Sequence, residues 1–208
     1  MFQPPYFKQK DNNGMLEFIR NDPLATIVTQ SENGLTVNHI PLLLKTRQNS
    51  NVLQGHIAKA NNMWKDYQAE KESVAIFTGP QSYISPNWYP SKKRDHKAVP
   101  TWNYTAVHAR GLIKFIHDKD WLLEHLTNLS NFNEQNMPKP WHLSEAPEDY
   151  IKSMLPAIVG FEMEITNMSG QSKMSQNHNE ENRQGVISGL QSQNKENVAT
   201  WVKNPDMS

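Results

Sequence analysis

Residues 24–46 read LATIVTQSENGLTVNHIPLLLKT. Two runs rich in Val, Ile, Leu and Thr flank Ser31-Glu32-Asn33-Gly34. An Asn-Gly pair tolerates the positive φ angles of a tight turn, so this stretch predicts an antiparallel hairpin. Working outward, NVLQGHI (51–57) and SVAIFTG (73–79) predict a third and a fourth strand. NYTAVHARGLIKFI (103–116) predicts a long strand, with Gly111 marking a bulge or a bend. AIVGFEMEIT (157–166) alternates Val159, Phe161, Met163 and Ile165 against Ile158, Gly160, Glu162 and Glu164, the pattern of a last strand.

Helices enter at the start and late. NNGMLEFIRNDP places Met15, Leu16, Phe18 and Ile19 on one side of a short helix ending at Pro23. Asp118 is placed to cap a helix through KDWLLEHLTNLS, where Trp121, Leu122, His125, Leu126 and Leu129 follow helical spacing, and PEDYIKSML predicts a shorter one. The closing forty residues are rich in Gln, Asn, Ser and Lys, yet ENRQGVISGLQ and ENVATWVKN carry apolar spacing for two helices. Strands first and helices late predict a β-barrel or α+β domain over alternating βαβ units.

Composition narrows the chemistry. The chain has 208 residues, enough for one large domain that needs no covalent staple. It contains no cysteine, which excludes disulfides, thiolate metal sites and cysteine nucleophiles. Lys plus Arg equals Asp plus Glu, 21 against 21, so no global field draws the chain onto nucleic acid or anionic lipid. MFQPPYFKQKDNNG lacks an apolar signal core and no run is long enough to span a bilayer, so a cytoplasmic protein without membrane contact is expected. The eight histidines form no His-x-x-x-His pair, and Walker, Gly-x-Ser-x-Gly and Gly-x-Gly-x-x-Gly loops are absent; no metal site is expected. His108 and Arg110 share a strand face, where a structural histidine is the default.

Three segments carry candidate binding chemistry. In GHIAKANNMWK (55–65), His56 and Lys59 leave a strand end, with Asn61 and Asn62 as amide donors where a helix opens. The alternative is an ordinary strand-to-helix turn with a solvated lysine. Gly79–Tyr104 reads GPQSYISPNWYPSKKRDHKAVPTWNY, taken as one connection. In it Tyr83, Trp88, Tyr89, Trp102 and Tyr104 offer stacking faces, while Ser85, Asn87, Thr101 and Asn103 offer polar contacts. Pro86, Pro90 and Pro100 fix the backbone, and SKKRDHK between them is expected to be a solvated surface loop. Lys173, Ser175 and Asn177 occupy alternate positions before a helix that Asn177 or Asn179 caps; a plain polar helix entry is the alternative. Rings, fixed turns and positive charge together suit a flat, phosphorylated, ring-bearing ligand, of which FMN is the best candidate.

GHIAKANNMW, YISPNWYPSK, VPTWNYTAVHARG and KMSQN with GVISGL resemble the motifs of the PaiB family. These are FMN-binding proteins regarded as negative transcriptional regulators of protease synthesis and sporulation. The family is similar in fold to the FMN-binding split barrels of pyridoxamine-phosphate oxidases and flavin reductases, homodimers with flavin at the subunit interface. The resemblance implies a split β-barrel of class α+β with peripheral helices, one domain over 1–208 with a helical extension at 170–208. It also implies FMN as cofactor, a homodimer, and cofactor contacts from His56, Lys59, Asn61 and Asn62 at the phosphate end. Ser85, Trp102 and Asn103 would serve the ribityl chain and ring, with Lys173, Ser175 and Asn177 closing the site. Lys59 replaces an expected arginine and loses its bidentate fork, and Asn62 replaces an expected proline. The alternative function is a flavin-dependent oxidoreductase, since in flavoenzymes the cofactor carries the reactivity. Direct DNA contact has one basic run to draw on, Lys92, Lys93, Arg94 and Lys97.

Overall fold

The computed structural model describes residues 1–48 and 50–207. Among them the strands are β1 (Lys8–Gln9), β2 (Leu24–Ser31), β3 (Gly34–Pro41), β4 (Leu43–Thr46), β5 (Asn51–Ala58), β6 (Ser73–Ile84), β7 (Thr101–Ile116) and β8 (Ile158–Lys173). They hydrogen-bond in the order β3-β2-β6-β7-β8-β5-β4, with β1 added on β8. The helices are α1 (Asn12–Asn21), α2 (Met63–Asp66), α3 (Lys92–Asp95), α4 (Lys119–Glu134), α5 (Glu148–Met154), α6 (Glu180–Gln191) and α7 (Glu196–Lys203). No helix among the described residues is long and apolar enough to cross a membrane. The chain divides into two compact units: one of Met1–Asp22, Ile76–His108 and Met168–Ser208, the other of Pro23–Ala75 and Ala109–Asn167.

In the second unit the hairpin forms as its sequence predicts. β2 and β3 run antiparallel from Leu24↔Pro41 to Ser31↔Gly34, leaving Glu32 and Asn33 as the loop. Within this turn positive φ falls on Gly34, at 110°, and not on Asn33. The Ser31 hydroxyl accepts from Asn33 N–H (3.2 Å) and donates to the Gly34 carbonyl (3.0 Å), doing locally what an Asx-type turn does. Leu24, Leu35 and Val37 stay exposed on this hairpin. The second run is not one strand: it changes partner at Leu42, whose N–H donates to Pro23 O (2.9 Å), so β3 pairs with β2 and β4 with β5. Gly111 marks a close approach, because a Cβ there would meet the backbone carbonyl of Glu164. Asp118 caps α4, accepting from Trp121 N–H at 2.7 Å as expected.

In the first unit the supposed connection is shorter than its sequence suggests. β6 continues through Pro80 to Ile84 and β7 begins at Thr101, so only residues 85–100 connect them. Trp88 and Tyr89 belong to packing. With Ile84, Met174, Val186, Leu190, Val198 and Val202 they form the core beneath α6 and α7. The motif GVISGL explains how. Gly185 and Gly189 lie one turn apart on α6, on the same face. A Cβ on the first would strike the Trp88 carbonyl and one on the second the Trp88 indole. Asn179 caps α6 through Asn182 N–H (3.0 Å), and the charged loop becomes the single turn α3, held by a two-pronged Arg94–Glu181 bridge at 2.7 Å.

Gly189→Ala will therefore destabilise the fold. Overpacking against the indole costs about 1–3 kcal/mol, which outweighs the roughly 1 kcal/mol of helix propensity gained. Urea unfolding checks this. In a Trp88→Ala background the same change should be neutral or stabilising; equal loss in both backgrounds would remove the steric explanation.

Candidate functional site

The predicted site residues fall into two sets, one in each unit. In the second unit, β5 carries His56 and ends at Ala58, and Lys59–Asn62 lead into α2. Lys59 and Asn62 are exposed. The Lys59 backbone is fixed at both ends: its N–H donates to Ala157 O (2.7 Å) and its carbonyl accepts from the Trp64 indole (3.0 Å). Asn61 is engaged within the protein, its amide donating to Asn38 Oδ1 (2.7 Å) while its oxygen accepts from Met63 N–H (3.0 Å).

His56 also has an internal partner. Its Nδ1 lies 3.1 Å from Nε2 of His125, a residue from the buried face of α4. The Trp121 ring stacks on His125 at 5.2 Å and 12°, seated over Gly160, where a Cβ would meet the indole. His125 is 2% exposed, and its Nδ1 has no hydrogen-bond partner among the described residues. Burial, then repulsion from His56 and Lys45, pushes its pKa down to about 4. Burial lowers His56 as well. Sequence spacing gave His125 only as one of several residues on a helix face. The aromatic four residues before it, on the same face, was the available signal for a stacked imidazole.

The first unit brings together Asn103, Lys173, Ser175 and Asn177, with Thr101, Tyr89 and His178, around a cavity of about 290 Å³. Asn103 is buried and donates to the Ser175 hydroxyl at 3.0 Å, which pins a residue held at φ 65°. Lys173 Nζ donates to the Thr101 hydroxyl, and burial lowers its pKa. His178 lies against the Tyr89 ring at 4.7 Å. Ser85 is apart from this cluster; it caps the short turn Pro86–Trp88 by accepting from Asn87 N–H (3.2 Å). Trp102 stands on a neighbouring surface, 49% exposed, its indole donating to Gln81 Oε1 (3.2 Å) and meeting Tyr83 edge-on at 6.3 Å. No group of three or more metal-ligating side chains occurs among the described residues.

The histidine pair sets a pH response. With a folded pKa of about 4 against an ordinary 6.5, His125 binds its proton more readily when unfolded. Stability is then full above pH 6.5 and falls as pH drops from 6.5 toward 4, by at most about 3 kcal/mol from this group. His125→Phe should flatten denaturation midpoints across that window. Parallel losses in wild type and variant would assign the acid sensitivity to other groups.

Residues 1–167 match the family described as "Putative FMN-binding domain". Over 198 residues the chain is 31% identical to the protease synthase and sporulation protein PAI 2 of Bacillus subtilis, covering 95% of this chain and 93% of that one. Among solved structures it is similar to the flavocytochrome Anf3 from Azotobacter vinelandii, with a TM-score of 0.54 and 14% identity over 79% of this chain and 68% of the other. It is also similar to the FAD and heme binding protein from Mycobacterium smegmatis, with a TM-score of 0.55 and 12% identity over 80% and 73%. The antiparallel sheet, the flanking helices and these likenesses agree on a split-barrel fold. On that sheet, and on a sequence match over nearly its whole length, the chain belongs to the PaiB family of FMN-binding proteins.

Proposed function

We propose that the protein binds FMN and acts as a flavin-bearing regulator in the cytoplasm. The observation that carries the flavin reading, beyond family membership, is Trp102. An indole half exposed to solvent, yet fixed by a hydrogen bond and an edge contact, is a preorganised face for a planar ring. The exposed ammonium of Lys59, on a backbone held at both ends, is the proposed phosphate partner. A bound flavin supplies one- and two-electron redox chemistry, and the protein's part is to position it. His56, Asn61, Ser85 and Asn103 are proposed to hold the surrounding turns, since their polar atoms already have internal partners.

The name of the Bacillus relative supports a regulatory role. Direct DNA reading is not the proposed route. Arg94 is paired with Glu181, which partly neutralises the basic run, and Lys92 keeps its charge while donating to the neutral Asn87 Oδ1. That same observation favours a second reading, a flavin-dependent oxidoreductase. A homodimer is proposed as well, because Leu35 and Val37 are exposed on one face of the hairpin next to Val28, with Leu24 exposed at its far end, apolar surface of the kind partners cover.

Titrating the apo-protein with FMN should quench flavin fluorescence, and Lys59→Ala should weaken binding by about 1–3 kcal/mol. Unchanged affinity would remove Lys59 from the site, and riboflavin binding as tightly as FMN would remove the phosphate contact. The flavin-loaded protein should scatter light as about twice the 24.0 kDa chain; a monomer would count against the dimer. In mobility shifts, promoter and scrambled duplexes should bind alike, weakly, and be lost steeply with salt. Selective binding at physiological salt would overturn the indirect route.

A further inference from the structure

The cavity of the first unit has a property that the flavin contacts proposed at Trp102 and Lys59 do not draw on. Its walls include Lys173, Lys97, Asn177 and His178, and no carboxylate among the described residues lines it. Lys173 is drawn partly out of water, and its one side-chain partner among the described residues is a neutral hydroxyl, that of Thr101. The carboxylates at the start of α6 are engaged elsewhere: Glu181 takes Arg94, and Glu180 takes Arg183 and Gln184. No ion pair among the described residues includes Lys173. A cation desolvated beside amides and an imidazole, with no counter-charge, is an arrangement that an entering anion completes. Burial also lowers the pKa of His178, and the same anion would favour its charged form.

The floor is built rather than loose. Asn103 and Ser175, both buried, hold each other across the strand end, and Ser175 keeps its left-handed backbone where the chain turns from β8 toward α6. This turn sets Lys173 and Asn177 on the same cavity from alternate positions. About 290 Å³ accommodates a phosphate group with a small organic body. Several donors from separate segments suit the many acceptor sites of a phosphate better than the two oxygens of a carboxylate.

We propose that this cavity binds a phosphate group independently of flavin, with Lys173 as its principal cation and Lys97, Asn177 and His178 as further donors. The ligand class is a small phosphate or phosphate monoester, and its binding requires no flavin to be present.

The test uses the full chain and inorganic phosphate at constant ionic strength against chloride, followed by phosphorus NMR line width and by thermal midpoint, with and without FMN. Saturable phosphate binding is expected in both states, weakened about tenfold or more in Lys173→Met and unchanged in Lys59→Ala. Lys97→Ala, a change at the cavity's outer loop, should weaken binding in the same direction and decides the matter if Lys173→Met does not fold. Phosphate binding that FMN blocks and riboflavin does not would show that the anion is the flavin's own phosphate, which overturns a separate site. Affinity that ignores both lysines, or that is lost in Lys59→Ala, overturns it too. Failure of FMN to bind leaves the phosphate result standing by itself.

Discussion

Backbone pairing along β7 and β8, sixteen residues each, constrains the rest of the molecule. Every N–H and C=O buried along such strands needs a partner, and a slip of one residue would turn each apolar side chain to the opposite face. Val107, Ala109 and Ile113 on β7, and Val159, Phe161 and Met163 on β8, are buried, each set on alternate positions. Both strands contribute to both compact units, so one register positions side chains of two kinds. Toward one end of β8 they are His56's neighbours, with Gly160 opposite His56. At its other end they are Lys173 and the turn that follows it.

The elements whose cause is local were legible. The Ser31–Gly34 turn, the apolar stripe of α1 and the Asp118 and Asn179 caps each depend on residues within a few positions of one another. What the sequence hid depends on distant partners. Nothing near Pro80 announces that β6 runs through it, because a proline in a strand is excluded only where its missing N–H would have been paired. The break at Leu42 follows Pro41, where β3 ends, but the group that holds Leu42, the Pro23 carbonyl, lies nineteen positions away in the chain.

The candidate site divides in the same manner. Lys173, Ser175 and Asn177 were legible as one face from alternation, and they do line one cavity. His56 and Asn61 were legible as polar residues at a strand end, but not that α4 and β3 already supply their partners. Trp88 and Tyr89 read as ring faces for a ligand, because an aromatic in a proline-fixed loop looks the same whether a cofactor or a helix covers it. For Trp88 a helix does, and the signal lay far along the chain in Gly185 and Gly189, while Tyr89 is buried beside it with its ring against His178 at the cavity wall.

Those two glycines carry different histories. Position 189 faces the indole, so its freedom depends on which side chain stands at position 88: a lineage that trades Trp88 for something smaller releases it. Position 185 faces the carbonyl of residue 88 and the ring of Pro90. A carbonyl is present whatever the side chain, so no substitution at 88 releases position 185. Among descendants of this chain, residues 88 and 189 should change as a pair, while 185 stays glycine for as long as α6 rests on this loop.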